Sequence, residues 1–411
     1  MKAFSTLIIV LSTVIQIFAQ DINRQQAMGA LQNGDVLVRV GSLEQAYHAY
    51  TTSITIDPSY AEAYMKRAWL RRMMGRTQEA MLDFNAAMQI NPFSEYIYDR
   101  RATLKMLATD YEGALEDINK AIFLAPLNNE FRDHRVEDLI LLGDYESALA
   151  DIDTLISRNY FPENQYEKKA IIAMLQPNLS LSKSYIDSAL AVNPSSSIAY
   201  DIRGVIFLKE RALDQAIESF SKAIALNPNF ALAHYNRSVA YRYMGNPKQA
   251  SNDLDKAVQV SHDISQVYFM RAVVKKELGD LTGALLDYDK ALVIDSAYNE
   301  ALFNKAFTLK LMGDYGSALV HANEITKLEP EDPANWNLKG NIHLMFGDHD
   351  LAIEAYSQAL SLDYEYYDAA YNRGLAYVMS YRKYEGCTDL QDAIYGGHKK
   401  AEIIYKNFCN D

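Results

Sequence analysis

Cysteine is almost missing from this chain of 411 residues: only Cys387 and Cys409 occur, both in the last 25 positions, and they leave no CxxC pair. Proline is scarce as well, with ten residues and no low-complexity tract, which excludes a disordered or polyproline chain. Basic residues are in deficit, 40 Lys and Arg against 53 Asp and Glu, for a formal charge of −13 and a pI near 5.2. A nucleic-acid phosphate backbone would be repelled by most of such a surface, so no nucleic-acid partner is expected. There is no glycine-rich phosphate loop, GxSxG or HExxH. The eight histidines are scattered, and His343 and His349, six apart, fall on different helix faces or across a turn. The sequence offers no catalytic residues, no metal ligands and no cofactor site, and it is read as a non-enzyme.

Past the N-terminus, no apolar run is long enough to cross a bilayer. The opening MKAFSTLIIVLSTVIQIFAQ has a basic start at Lys2, an apolar stretch from Phe4 to Phe18 and a small residue, Ala19, before polar chain. That order describes a secretory signal over residues 1–19, followed by a lead-in over 20–26. The stretch is interrupted by Ser5, Thr6, Ser12, Thr13 and Gln16, and falls short of the roughly 20 mainly apolar residues a span needs. The mature chain is therefore expected to be exported, periplasmic or extracellular, without a transmembrane segment, and with 39 basic against 53 acidic residues, or −14.

What the sequence does contain is a period. A basic residue returns every 34 positions at Arg67, Arg101, Arg135, Lys169, Arg203, Arg237, Arg271, Lys305, Lys339 and Arg373. A small-residue ladder shares the interval at Ala80, Ala114, Ala148, Ser182, Ala216, Ala250, Ala284, Ala318 and Ala352. With the basic ladder as position 7, eleven repeats begin at residues 27, 61, 95, 129, 163, 197, 231, 265, 299, 333 and 367, and end near Lys400. Position 8 is small in all but one repeat, which permits close helix approach. Position 15 is glycine in seven repeats and position 32 proline in six, marking the ends of a first and a second helix. Apolar or small residues at positions 4, 8 and 11, and again at 20, 24 and 27, give each helix one buried face. A single pair cannot bury its apolar face, so the pairs are expected to stack into one continuous core.

The stretches RALDQAIESFSKAIALNP, LTGALLDYDKALVIDS and YNRGLAYVMS resemble tetratricopeptide (TPR) repeats over about residues 27 to 400. The resemblance implies an all-α fold, a right-handed α-solenoid of about eleven 34-residue helix pairs. Two repeats depart from the pattern: the first has Val36-Leu37-Val38-Arg39-Val40 in its first helix, and the fifth has Pro177 in place of the turn glycine. A further helix over Lys399 to Cys409 reads as the cap, residues 401–411, that a repeat array needs on its last open face. The Gly396-Gly397 turn brings Cys387 near the end of that helix. The pair is expected as a disulfide stapling cap to array, with free or metal-binding thiols as the alternative.

Position 7 lies inside the helix pair rather than on its surface. Six of its arginines are matched sixteen residues later by aspartate: Arg67 with Asp83, Arg101 with Asp117, Arg135 with Asp151, Arg237 with Asp253, Arg271 with Asp287, and Arg373 with Asp389. The lysines face Tyr185, His321 and Ala355 instead, and Arg203 faces Ser219. A planar guanidinium suits bidentate carboxylate pairing, so the ladder is read as structural ion pairs.

The resemblance further implies a concave groove lined by the first helices, where extended peptides or partner helices lie. Position 5 divides that groove. It is acidic at Asp99, Asp133, Glu167 and Asp201, and then aromatic or polar at Tyr235, Phe269, Phe303, Asn337 and Tyr371. Val239, Val273 and Phe307 at position 9 extend the apolar strip, and Asn236, Asn304 and Asn372 at position 6 offer amides to a bound backbone. Lysines that would clamp a peptide carboxylate are missing from positions 2 and 5. The expectation is a protein-binding scaffold of a bacterial cell envelope. Tyr235, Phe269, Phe303 and Phe307 would anchor a peptide or helix, with a cationic portion against the acidic stripe. The alternatives are a structural or oligomerisation module, with the aromatics buried between copies, or an accessory subunit of an envelope enzyme.

Overall fold

The computed structural model describes residues 2–409, with side chains from residue 20 onward. The signal read over residues 1–19 lies outside those described side chains. The described chain is helical throughout and falls into two compact bodies, residues 1–194 and 195–411. The first holds repeats 1 to 5, and the second holds repeats 6 to 11 and the cap helix Lys399–Phe408.

Within each body, consecutive helices pack as antiparallel pairs, and every pair follows the period. Repeat 8, for example, is Ser265–Glu277 and Leu281–Ile294, and repeat 9 is Asn299–Met312 and Tyr315–Leu328. Helix 1 runs Lys2–Arg39, so residues 20–26 are helical and continuous with the first repeat. Turns between paired helices place position 15 at positive φ. Seven glycines supply it at no steric cost, and Thr109, Arg211 and Tyr381 adopt the same conformation at φ 61, 63 and 61°.

The core is built from the small-residue ladder. Ala80, Ala114, Ala148, Ala216, Ala250, Ala284, Ala318 and Ala352 are fully buried, and so is Ser182. The serine hydroxyl donates to the Ala170 carbonyl at 2.9 Å, so its burial leaves no unmet donor. Where position 8 is glycine, position 24 fills the gap. A Cβ at Gly340 would meet the Tyr356 ring at 2.5 Å, and one at Gly204 the Phe220 ring at 2.5 Å. Residue size at 8 and at 24 is one packing decision made by two positions.

The six arginine–aspartate pairs are bidentate. Nε and Nη2 of Arg67, Arg101, Arg135, Arg237, Arg271 and Arg373 donate to their aspartates at 2.6–2.9 Å. The remaining Nη1 reaches backward by the same sixteen residues, onto the second helix of the preceding repeat. Its acceptors are Thr51, Asn85, Asn119, Ser221, Asp255 and Ser357. Each guanidinium therefore ties its own repeat to the one before. Lysine has no fork and takes the backward partner: Lys169 pairs with Asp153, and Lys305 with Asp289 at 2.7 Å. Burial would raise Asp253, but hydrogen bonds from Arg237 and His234 outweigh it and hold the carboxyl below its ordinary range. At the C-terminal end, the sulfurs of Cys387 and Cys409 are bonded, with Cα atoms 5.7 Å apart, joining the cap to the last repeat.

Candidate partner-binding face

The acidic residues read as one wall of a groove do not form an open wall. Asp99, Glu167 and Asp201 are only 1%, 5% and 8% exposed. For Asp99, Asp133 and Asp201, position 5 of one first helix meets position 6 of the next, so these three carboxylates are used between neighbouring repeats. Asp99 binds His134 Nδ1 at 2.6 Å, and Asp133 accepts from Gln165 at 2.9 Å and Lys168 at 2.8 Å. Asp201 accepts from Asn236 at 3.0 and 3.1 Å. A cationic segment cannot reach Asp99 and Asp201, which are buried and bonded, and Asp133 keeps only part of its surface beside Lys168, which corrects the expectation of an open acidic stripe.

The environment of each carboxylate decides its protonation. Burial raises Asp201 to about 6, only partly opposed by the amide of Asn236. His134 is raised by its hydrogen bond to Asp99, against the opposing effect of burial. Neighbouring Asp138 is pushed up to about 6 by burial.

The amides are likewise engaged. Asn236 is held by Asp201, Asn304 accepts from Lys276 at 2.8 Å and donates to the Glu300 carbonyl, and Asn372 donates to Asn337 at 3.1 Å. Position 6 thus fixes the spacing of successive first helices before any partner arrives.

The aromatic residues are half-buried. Phe269 packs 4.9 Å from the Tyr298 ring and 6.0 Å from Tyr288, and its outer portion stays accessible. Phe303, Phe307, Tyr235 and Tyr371 have the same intermediate burial, as do Val239 and Val273. Tyr371 stacks on His398 at 4.1 Å, which takes one ring face for the cap junction. Two ammonium groups lie over the Phe307 ring, Lys310 at 4.5 Å and Lys276 at 5.1 Å from its centroid.

Position 13 is a component that the sequence reading overlooked. Met73, Leu107, Leu141 and Leu175 in the first body, and Tyr243, Leu311, Met345 and Met379 in the second, are each 50–76% exposed. Positions 5, 9 and 13 are spaced by four, so they share one helix face. That face reads Tyr235, Val239, Tyr243 in repeat 7 and Phe303, Phe307, Leu311 in repeat 9. The signal was present as an apolar residue recurring at 34, but nothing in a sequence distinguishes an exposed apolar column from a buried one.

Family models of the tetratricopeptide repeat match residues 31–95, 231–263, 312–363 and 339–380, and a TPR repeat model matches 204–245. Nothing among curated proteins matches the chain. Solved structures similar to it include a tetratricopeptide repeat protein from Parabacteroides merdae, 18% identical, covering 60% of this chain and 99% of that one, at a TM-score of 0.47. The APC/C hetero-tetramer Cut9-Hcn1 is 13% identical, with 92% and 95% covered, at a TM-score of 0.47. PilW, a type IV pilus biogenesis factor, is 20% identical, with 50% and 94% covered, at a TM-score of 0.46. With eleven in-phase helix pairs and these matching repeat models, the chain belongs to the tetratricopeptide repeat family.

Proposed function

We propose that this protein is a non-catalytic scaffold of the cell envelope that binds a partner protein on the first-helix face of its repeats. The observation that carries this reading is the apolar face of repeats 7 and 9, half-buried at positions 5 and 9 and exposed at position 13. Apolar side chains repeated on one face expose area that a lone monomer usually avoids. Half-packed aromatics such as Phe269 and Phe303 are rigid, and rigid aromatic anchors lose little entropy on binding. Export is supported by the N-terminal pattern and by the Cys387–Cys409 bond, which is suited to an oxidising compartment.

The test is crosslinking capture from the native envelope with wild type and a Phe269→Ala/Phe303→Ala variant, followed by affinity measurement on the captured protein. Loss of a few kcal/mol is expected if these rings are anchors. Unchanged affinity refutes the placement. Sedimentation of both forms separates the competing reading: a wild-type dimer dissolved by the same changes would make the face a self-association surface.

A further inference from the structure

Arginines cluster around Trp69 on the first helices of repeats 1 to 3, and two of them, Arg39 and Arg72, are without a carboxylate partner among the described residues. A cleft of about 440 Å³ is lined by Asp35, Val38, Arg39, Lys66, Trp69 and Arg100, among others. Arg72 lies over the indole at 4.4 Å and Arg100 at 5.0 Å. Lys66 is paired with Asp35. Arg100 approaches Asp99 only at 3.6 Å and Glu130 at 3.9 Å. Among the described residues, Arg39 and Arg72 have no ion pair, and Nε of Arg72 is buried without a hydrogen-bond partner. This is an unusual place for unpaired arginine, since the chain carries 13 more acidic than basic residues. The second body carries the aromatic and basic pair at the same repeat positions, with Phe307 for Trp69 and Lys310 for Arg72 and no ion pair on the lysine among the described residues, but Glu277 stands where Arg39 does and Leu338 where Arg100 does.

We propose that the Trp69 cleft binds an acidic peptide segment of a partner protein, seating an apolar side chain against Trp69 and carboxylates on Arg39, Arg72 and Arg100. The argument is charge complementarity. Guanidinium groups around an aromatic ring on a partly apolar floor offer a carboxylate charge-assisted hydrogen bonds beside an apolar contact. The surrounding negative charge disfavours a long polyanion, which would extend beyond the local positive region. The inference deepens the reading of the first-helix face as a partner-binding surface by giving its N-terminal portion a ligand class, opposite in sign to the cationic segment that charge pattern alone had suggested.

The test uses the full chain with Trp336→Phe, which leaves Trp69 as the only tryptophan. Three first helices spaced by roughly 9 Å are crossed by an extended peptide of about eight residues at about 3.3 Å each. Three end-blocked probes of that length share the same leucine and phenylalanine positions and carry glutamate, glutamine or lysine between them. The glutamate probe is expected to shift Trp69 emission with an affinity that falls as salt rises. The glutamine probe should bind about tenfold more weakly or worse, and the lysine probe not at all. Arg39→Gln and Arg72→Gln should each weaken the glutamate probe about tenfold, with unchanged circular dichroism. The proposal is overturned if the glutamate probe gives no saturable Trp69 signal, if the lysine probe binds as well, or if neither arginine variant changes affinity. Displacement by heparin as readily as by the glutamate probe would make the cleft a general polyanion site and overturn it too. Phe269→Ala/Phe303→Ala lies in the other body and should leave the Trp69 signal intact, so failure of those anchors and failure of this cleft are read separately.

Discussion

Asp201→Asn tests whether a buried carboxyl at position 5 is held at a cost. Burial raises this group from an ordinary 3.8 to about 6. A raised acid binds its proton more tightly in the folded state, so the native protein loses stability as pH climbs from about 4 to about 6. Two units at about 1.4 kcal/mol each make that loss roughly 3 kcal/mol above pH 6. The amide removes it, and position 236 can still donate. The same protein already uses an amide pair at the corresponding place, Asn372 donating to Asn337 at 3.1 Å. There, however, Asn337 also donates to the Tyr366 hydroxyl at 3.3 Å, and the matching residue in repeat 6 is Phe230, which has no acceptor. An unmet amide donor costs about 1–2 kcal/mol. The net expectation is a gain of about 1–2 kcal/mol at pH 8 and a small loss near pH 4. Urea unfolding across pH 4 to 8, with hydrogen exchange along Ser197–Lys209, measures it. A difference between variant and wild type that is the same at both pH values would refute the assignment, because a purely steric change does not titrate.

The remaining expectations concern other joints of the fold. His134 should titrate above its ordinary value by NMR; its charged pair with Asp99 stabilises the N-terminal body below about pH 6.5, and that contribution fades as pH rises through the raised folded value. Asp287→Ala leaves the Arg271 fork and Lys275 without their carboxylate and should cost about 3 kcal/mol by urea unfolding; a change under about 0.5 would mean the pair contributes nothing. Thr109→Gly relieves a left-handed backbone and should raise stability by up to about 1 kcal/mol, whereas Thr109→Val should lower it. Replacing Cys387 and Cys409 by serine opens a link across 22 residues and should destabilise the cap region by about 3 kcal/mol, seen first as faster exchange in Lys399–Phe408.

The period of 34 determined the helix pairs, their turns and their ends, because glycine, proline and small residues act locally and their effect does not depend on distant chain. The sixteen-residue match between Arg67 and Asp83, and its five counterparts, was legible for the same reason: both partners sit in one repeat. The backward bond from each Nη1 to the preceding repeat was not legible, since threonine, asparagine, serine and aspartate all serve there and no single residue type recurs. Charge at position 5 was visible, but whether Asp99 and Asp201 faced water or a neighbour was not. Only the packing of adjacent first helices decides how much solvent a side chain keeps. The same packing set the exposure of Leu107, Leu141 and Leu311, and it left Arg39 and Arg72 around Trp69 without carboxylates in a chain rich in them. Sequence fixes what each repeat is, whereas burial, and therefore which surface is free to bind, arises between repeats.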